Sequence, residues 1–309
     1  MKLLRILSSL LRKSSNEDEM RRYIFKPILL PVISYFEASN LLALISDRRE
    51  GIHTIKINAG LCNIEVSVES EYVRLPGNYI VNKSQLERML RYKNSAFLIK
   101  NDVFKIEIRS KYKYYKLMVP RENCPPTLEI SGIHMHRIVD TDPWRDSMSK
   151  VKLARIRSGM NVLDVCTGLG YTAIHSRLRG ANYVLTIEKD PYVLEIAKAN
   201  PWSRRLADPQ IDIILDDATQ VIPELESESF HAIIHDPPRF SLAGELYSFE
   251  FYQELYRVLK KGGILFHYTG TPGSKYRRMS FMKGVAQRLR KAGFTVVYAK
   301  KALGILGIK

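Results

Sequence analysis

Two short segments in the second half of the chain combine acidic residues with glycine or proline in patterns that suit ligand binding. The first runs Val162-Leu-Asp-Val-Cys-Thr-Gly-Leu-Gly-Tyr-Thr-Ala173, where an apolar run carries Asp164 and leads into Gly168 and Gly170. Glycine is needed where the backbone turns sharply and approaches a ligand, because it has no Cβ. The segment therefore predicts a strand, a ligand-binding loop and then a helix.

Two further acidic residues follow the next predicted strands. Glu188 ends the second strand and can accept both ribose hydroxyls of a nucleoside, and Asp217 follows the third and can accept from an adenine amine. The spacing of Gly168, Gly170 and Ala173 also satisfies the dinucleotide fingerprint, with Glu188 as its ribose acid, so a nicotinamide dinucleotide is an alternative. The position of Asp164, where a methionine ammonium group could be held, favours S-adenosylmethionine (SAM).

The second segment, Asp236-Pro-Pro-Arg-Phe240, follows the fourth predicted strand. Pro237 and Pro238 restrict the backbone. Asp236 and a neighbouring carbonyl could then accept both protons of an amino group and orient its lone pair, which is most of the catalysis in a methyl transfer. Phe240 could stack on a base. The alternative is a rigid turn with Phe240 in the core.

The elements around these motifs predict an α/β fold. Apolar runs predict seven strands, and helical stretches fall between most of them, which is typical of a parallel sheet covered on both faces. Only Ala299 to Ala302 separates the last two strands, so we expect these to pair as an antiparallel hairpin. The predicted strands are Asn161–Val165, Tyr183–Ile187, Ile211–Leu215, Ala232–His235, Gly263–Tyr268, Thr295–Tyr298 and Leu303–Ile308. The predicted helices include Pro191–Ala199, Phe249–Leu259, Met279–Lys291 and one from Pro143 to about Arg157.

We expect residues 1–135 to form a smaller α+β domain that could present the substrate. Residues 136–309 are expected to form the catalytic domain. An amphipathic helix is expected over Met1–Lys13. Predicted strands follow, at Ile52–Ile57, Cys62–Val68, Ala96–Ile99 and Val103–Ile108, with a turn at Asn58–Gly60, a hairpin at Asn101–Asp102 and a helix over Lys83–Arg91. On a strand, Lys111–Lys116 would place Lys111 and Lys113 on one face and Tyr112 and Tyr114 on the other.

Residues 140–309 resemble the class I SAM-dependent methyltransferase superfamily, whose sheet has seven strands in a Rossmann-like arrangement. The resemblance implies that Asp164 and the glycine loop hold the methionine part, Glu188 the ribose and Asp217 the adenine. Thr167, Lys189 and Ala218 adjoin these positions and complete the expected SAM site. The family often has glycine where this chain has Cys166.

The segment Asp236-Pro237-Pro238 is similar to the motif of methyltransferases that act on exocyclic amines of nucleic-acid bases. Arg239 stands where that motif has an aromatic residue, and the pattern Asp-Pro-Pro-x-Phe is also similar to ribosomal RNA methyltransferases that modify ring positions. Methylation at pyrimidine carbon 5 normally needs a cysteine nucleophile, and no cysteine lies near this motif.

The charge distribution predicts a polyanionic partner, for which RNA is the expected one. The net charge is +16, and no acidic residue follows Glu254, while thirteen basic residues lie from Arg257 to Lys309. Arg239 and three residues beside the predicted loop Thr269–Ser274, namely Lys275, Arg277 and Arg278, are candidates to bind phosphates. A solvated basic face is the alternative.

Other site classes are disfavoured by composition. The three cysteines, Cys62, Cys124 and Cys166, form no CxxC pair, which argues against a zinc site or a disulfide scaffold. His134 and His136 lack further metal-ligand candidates at suitable spacing, so no metal is expected. No apolar run reaches the ~18–20 residues of a membrane span, and a cytoplasmic protein is the simplest interpretation.

We therefore expect SAM-dependent methyl transfer to a base nitrogen of tRNA or rRNA. Three alternatives remain. One is an aminopropyl transferase of the polyamine-synthase kind, which shares the sheet but uses decarboxylated SAM and needs acidic residues to hold an amine. The surrounding Arg239 and Lys275 would repel such a polycation. The others are a small-molecule methyltransferase and a non-catalytic protein that binds nucleic acid.

Overall fold

The computed structural model describes residues 21–270 and the backbone of 275–309, with side chains from residue 280 onward in that second range. The described residues form two compact units. The first comprises 26–143 and 192–205, and the second comprises 21–25, 144–191 and 206–309. The expected helix over Met1–Lys13 lies outside the described residues, as does most of the loop Thr269–Ser274.

The strands are numbered along the chain. They are β1 (Arg22–Tyr23), β2 (Val32–Ser34), β3 (Gly51–Ile57), β4 (Cys62–Val68), β5 (Tyr72–Leu75), β6 (Tyr79–Asn82), β7 (Ala96–Ile99), β8 (Val103–Lys105), β9 (Glu107–Arg109), β10 (Tyr114–Met118), β11 (Thr127–Ile130), β12 (Ile133–His134), β13 (Asn161–Val165), β14 (Tyr183–Glu188), β15 (Ile211–Leu215), β16 (Phe230–His235), β17 (Leu259–Tyr268), β18 (Thr295–Ala299) and β19 (Gly304–Ile308).

The α-helices are α1 (Tyr35–Ser46), α2 (Lys83–Leu90), α3 (Pro143–Leu153), α4 (Tyr171–Leu178), α5 (Pro191–Ala199), α6 (Ala218–Glu224), α7 (Phe249–Val258) and α8 (Lys275–Lys291). Asp217 caps the start of α6 by accepting from the backbone N–H of Thr219, and Ser248 caps α7 by accepting from that of Phe251. Such caps satisfy backbone donors that the first helical turn leaves without a partner.

The second unit contains one sheet of eight strands in the order β1-β15-β14-β13-β16-β17-β19-β18. The five central strands β15, β14, β13, β16 and β17 run parallel, because a crossover connection that contains a helix joins each strand to the next along the chain. Strands β19 and β18 form the expected antiparallel hairpin. The α/β fold with a Rossmann-like methyltransferase sheet and smaller antiparallel sheets in the N-terminal part is therefore confirmed.

One strand of this sheet was not expected. Strand β1 pairs antiparallel with β15, where Arg22 lies opposite Ile214 and Tyr23 opposite Ile213. Two residues are too short a run to give a period of two in the sequence. Residues 21–25 thus group with the unit of the large sheet, and residues 192–205 group with the first unit.

The first unit contains three small antiparallel sheets, in the orders β2-β7-β8, β3-β4-β5-β6 and β12-β11-β10-β9. The expected turn between β3 and β4 and the hairpin between β7 and β8 are both present. The expected strand Val103–Ile108 is split at Ile106, which lies between β8 and β9. The backbone N–H of Ile106 donates to the carbonyl of Ala96 in β7, and its carbonyl accepts from the backbone N–H of Leu117 in β10.

The arrangement expected for Lys111–Lys116 is wrong. Strand β10 begins only at Tyr114, so Lys111 and Lys113 lie before it and share no strand face. Tyr112 is 82% exposed, and the inward-facing ring is that of Tyr115, which is 2% exposed. The turn closed by Ser110, whose backbone N–H donates to the carbonyl of Lys113, takes up the first residues of the segment.

Candidate cofactor and transfer site

Four acidic residues meet at the carboxyl ends of neighbouring strands in the second unit. Asp164 lies in β13, Glu188 ends β14, Asp217 follows β15, and Asp236 follows β16. These strands are consecutive neighbours in the sheet. Ligands of open α/β sheets bind at this edge. The fold therefore brings together the four acids that the sequence motifs single out.

The loop after β13 is connected to the end of β14 through a carboxylate. Oε2 of Glu188 accepts from the backbone N–H of Gly168 at 2.9 Å, and Oε1 accepts from that of Asp190 at 3.0 Å. Burial raises the pKa of Glu188, and these backbone donors oppose the shift. The arrangement leaves a carboxylate beside a bare stretch of main chain, as the binding of a nucleoside requires.

Two positions of this loop require glycine, and the space around them differs. Both have left-handed backbones, with φ of 56° at Gly168 and 77° at Gly170. A Cβ on Gly168 would meet no atom within 4 Å, whereas a Cβ on Gly170 would overlap the Leu206 side chain. Cys166 also has a positive φ, 72°, which accounts for the preference for glycine at this position in the resembled family. Open space therefore lies over Gly168.

Asp164 is fully buried and only partly satisfied. Its Oδ2 accepts from the hydroxyl of Thr186 at 2.8 Å. Its Oδ1 has no hydrogen-bond partner among the residues that the structure describes. Burial raises the pKa of Asp164 to about 7, although the hydroxyl groups of Thr172 and Thr186 act to lower it. A buried acceptor without a partner is costly, and an ammonium group of a ligand would satisfy it.

These observations fit an adenosyl sulfonium ligand. Glu188 and the Gly168 main chain would hold its nucleoside, and Oδ1 of Asp164 an ammonium group. Thr167 supports the loop from below, since its hydroxyl lies 2.7 Å from that of Thr186. Oδ1 of Asp217 accepts from Thr219 at the start of α6, and its Oδ2 pairs with Lys189 at 2.8 Å, next to the buried Ala218.

Asp217 is held in its charged form. Burial acts to raise its pKa, but the ion pair with Lys189 and the hydrogen bonds from Thr219 leave it below its usual value. Lys189 also lies 3.8 Å from Glu245, and its side chain is 66% exposed. Both Lys189 and Asp217 therefore have partners before any ligand is considered.

Asp236 is paired with a buried lysine that the motifs do not include. Nζ of Lys150 lies 2.6 Å from Oδ2 of Asp236 and 2.8 Å from Oδ2 of Asp146, and it lies 4.3 Å from the ring centroid of Tyr268. Burial would lower the pKa of Lys150, but the two carboxylates raise it above its usual value. The only sequence signal for Lys150 is its spacing from Asp146, one turn away on α3.

The loop after Asp236 is fixed at two points. The hydroxyl of Tyr247 donates to the carbonyl of Pro238 at 2.8 Å, and Pro237 is buried. The ring of Phe240 is 51% exposed and makes edge contacts with Tyr247 and Phe281, at centroid distances of 5.5 and 5.7 Å. Phe240 is therefore a half-exposed ring next to Asp236 and does not lie in the core.

A neutral polar pair lies inside the sheet behind Asp236. The rings of His235 and His267, on the neighbouring strands β16 and β17, are in contact, with centroids 4.4 Å apart and planes inclined at 40°. Nε2 of His235 donates to the carbonyl of Leu246 at 2.9 Å, and Nε2 of His267 is hydrogen-bonded to the hydroxyl of Tyr252 at 2.8 Å. Burial lowers the pKa of His235 to about 4 and holds the pKa of His267 well below its usual value.

The expected phosphate-binding residues are only partly described. Arg239 is exposed, while the side chains of Lys275, Arg277 and Arg278 lie outside the described residues. His134 pairs with Glu129, and Nδ1 of His136 lies 3.0 Å from the hydroxyl of Thr127. Among residues 21–270 and 280–309, no three acidic, cysteine or histidine side chains are grouped to hold a metal. Likewise, no described helix is long and apolar enough to cross a membrane.

Comparison with known proteins gives a relative with high identity. An uncharacterized protein of Methanocaldococcus jannaschii is 51% identical over 226 residues, which is 72% of this chain and 77% of that protein. The chain belongs to the same family as this archaeal protein. The sequence model of the spermine/spermidine synthase domain also matches residues 176–303, which include β14 to β18.

Two named proteins extend the similarity. A polyamine aminopropyltransferase of Thermoplasma volcanium is 23% identical over 189 residues, which is 60% of this chain and 66% of that enzyme. A solved spermidine synthase, in complex with a transition-state analogue, has a TM-score of 0.52 and 15% identity, covering 94% of this chain and 83% of that one. The second half of the chain is thus similar in sequence to the spermine/spermidine synthase domain, and the fold is similar to that of a spermidine synthase.

Proposed function

We propose that this protein transfers an aminopropyl group from decarboxylated SAM to an amine. The observation that carries the proposal is the acidic character of the site, where Asp164, Glu188 and Asp236 end neighbouring strands and Asp146 joins them from α3. Decarboxylated SAM carries a sulfonium and a primary ammonium but no carboxylate. Acidic side chains attract both of these charges.

The lysines near the site support the same donor. Lys150 is paired with Asp146 and Asp236, and Lys189 is paired with Asp217. The carboxylate of intact SAM would need a cation or free N–H groups, and these two cations are already engaged. Decarboxylated SAM has no such requirement, which makes it the better match to the described residues.

Each acid would have its own task. Glu188 would accept from the ribose hydroxyls, and Oδ1 of Asp164 would accept from the ammonium group of the donor. Asp236 would orient the acceptor amine and take the proton that the nitrogen loses. The donor supplies an electrophilic carbon, whose bond to sulfur is replaced by a bond to nitrogen. The charge of Lys150 keeps Asp236 able to accept that proton.

The similarity to the spermine/spermidine synthase domain and to a polyamine aminopropyltransferase supports this function over methylation of RNA. The match to the family model spans residues 176–303, which include the segment Asp236–Phe240. The expected repulsion of a polycation by Arg239 carries less weight, because that side chain is exposed and solvent screens its charge.

Methyl transfer to a base nitrogen of tRNA or rRNA is a second candidate, favoured by one observation. The half-exposed ring of Phe240 lies next to Asp236, where a base could stack on it. The exposed basic residues of this region, among them Lys261, Lys283 and Arg290, would then bind the RNA backbone.

The two candidates are separated by their products. The protein is incubated with SAM or decarboxylated SAM, together with a panel of amines or total RNA. Aminopropyl transfer gives methylthioadenosine and a lengthened amine, which mass spectrometry detects, and Asp236→Asn should abolish both while Glu250→Gln on the exposed face of α7 should not. Formation of S-adenosylhomocysteine and methylated RNA, without methylthioadenosine, would refute the aminopropyl proposal.

A further inference from the structure

The buried ammonium group of Lys150 lies in a setting that resembles a ligand site. Two carboxylates, from Asp146 and Asp236, lie within 2.8 Å of Nζ, and the ring of Tyr268 faces it at 4.3 Å. The three partners come from α3, the end of β16 and the end of β17. Paired carboxylates and an aromatic face are the groups with which proteins recognise a primary ammonium.

An ion pair with a purely structural role would need only one carboxylate beside Lys150. A buried lysine on α3 is neutralised by Asp146 alone, one helical turn away. The second carboxylate, Asp236, belongs to the motif at the reacting end of the site, and its side chain keeps 20% of its surface exposed, against 3% for Lys150. Two carboxylates and one ammonium leave one negative charge at the point where an acceptor amine would arrive.

We propose that Asp146, Asp236 and Tyr268 form an ammonium subsite, that Lys150 fills it, and that Lys150 thereby makes the acceptor a monoamine. This inference rests on the proposed function and names its acceptor class. A diamine needs a place for its second, charged nitrogen. The ammonium group of Lys150 already occupies the place between Asp146 and Asp236. It would repel the second ammonium group of a diamine there, because the two charges are alike. A monoamine presents only its reacting nitrogen to Asp236.

The subsite can be tested without any group transfer. Lys150→Ala removes three methylenes and the ammonium, which n-propylamine restores. We expect n-propylammonium to raise the melting temperature of Lys150→Ala in a saturable way, by several degrees, since a ligand that binds only the folded state stabilises it. Methylammonium and n-butylammonium should act more weakly, and neutral n-propanol not at all.

Two controls set the specificity of the rescue. Wild type and Lys152→Ala, which changes an exposed lysine on the same helix, should show no amine-dependent shift. Asp146→Asn combined with Lys150→Ala should lose the response. If Lys150→Ala does not fold alone, the yield of folded protein on refolding with n-propylamine replaces the melting temperature. A response no larger than that of Lys152→Ala, or no refolding with any amine, overturns the subsite.

The acceptor class has a separate readout. With decarboxylated SAM, wild type should favour monoamines over diamines by at least about tenfold in kcat/KM, and Lys150→Ala should accept diamines with the preference lost. Amine rescue without transfer from decarboxylated SAM by any variant would leave the subsite standing and remove the proposed function. Transfer by wild type to diamines as readily as to monoamines would overturn the role of Lys150.

Discussion

The backbone N–H of Gly168 donates to Oε2 of Glu188 over 2.9 Å and so links the loop after β13 to the end of β14. The glycine loop and the acid are parts of one site because their strands are neighbours in the sheet. The same carboxylate accepts from Asp190 through its other oxygen. Glu188→Gln would turn one of these two acceptors into a donor that faces a backbone N–H, so urea unfolding has to accompany the measurement of ligand binding.

Glu188→Gln should weaken the binding of methylthioadenosine, a nucleoside that carries no ammonium group. Hydrogen bonds to a charged acceptor contribute ~1.5–3 kcal/mol, so we expect a roughly 10- to 100-fold increase in Kd. Isothermal titration calorimetry measures it, with Glu250→Gln as the control for a lost negative charge. An unchanged Kd would show that Glu188 does not contact the nucleoside.

Replacing Gly168, Gly170 or Gly159 by alanine should distinguish the effects of backbone strain, steric overlap and ligand contact. All three have positive φ, and a Cβ has open space at Gly168 and at Gly159 but overlaps Leu206 at Gly170. Gly159→Ala and Gly168→Ala should each lose about 1–2 kcal/mol of stability from the backbone alone. Gly170→Ala should lose about 1–3 kcal/mol more from overpacking.

Binding distinguishes the two open positions. Gly168→Ala should bind methylthioadenosine at least about tenfold more weakly, since its Cβ enters the space assigned to the ligand, and Gly159→Ala should bind like wild type. Urea denaturation and calorimetry on the same preparations give both quantities. Equal affinities in these two variants would remove Gly168 from the binding site.

His235 and His267 should contribute a loss of stability of the second unit in acid. Burial lowers the pKa of His235 to about 4 and that of His267 well below its usual value, whereas an unfolded histidine titrates near 6.5. Below about pH 6.5 the unfolded chain binds more protons than the folded one, so stability falls as the pH falls. The slope is up to about 1.4 kcal/mol per pH unit for each histidine.

His267→Gln tests this by removing one titrating group while keeping a polar side chain opposite Tyr252. Tyr247, Tyr252 and Arg288 are among the groups that lie around the pair. The variant should be less stable than wild type at pH 7 but should lose less stability on going to pH 5, as measured by urea unfolding at both pH values. Parallel losses in the two proteins would contradict the assignment.

The sequence predicted the sheet better than the contacts of the site. Parallel strands buried on both faces are continuous apolar runs, so β13 to β17 could be found from their composition and spacing. Strand β1 could not, because two residues at an edge carry no pattern. Asp164, Glu188 and Asp236 could be placed because they end strands. The pairing of Lys150 with Asp236 could not, since it joins α3 to a loop 86 residues later.

Phe240→Ala should show whether the ring of Phe240 contacts the acceptor or only packs against its neighbours. The ring is 51% exposed and meets Tyr247 and Phe281 edge-on. Since half of the ring already faces solvent, its removal should lower stability by no more than about 1–2 kcal/mol. If the ring covers the acceptor, kcat/KM should fall at least about tenfold while the Kd of methylthioadenosine stays the same.

A second variant of this region is Tyr247→Phe, which keeps the edge contact with Phe240 but removes the hydroxyl that donates to Pro238. It should loosen the loop after Asp236 and lower kcat more than it raises KM, because the carboxylate is then less well oriented. Phe240→Trp adds a further readout. A gain in RNA affinity on enlarging the ring would favour base stacking and methyl transfer, whereas a loss of amine turnover with RNA binding unchanged would support an amine as the acceptor.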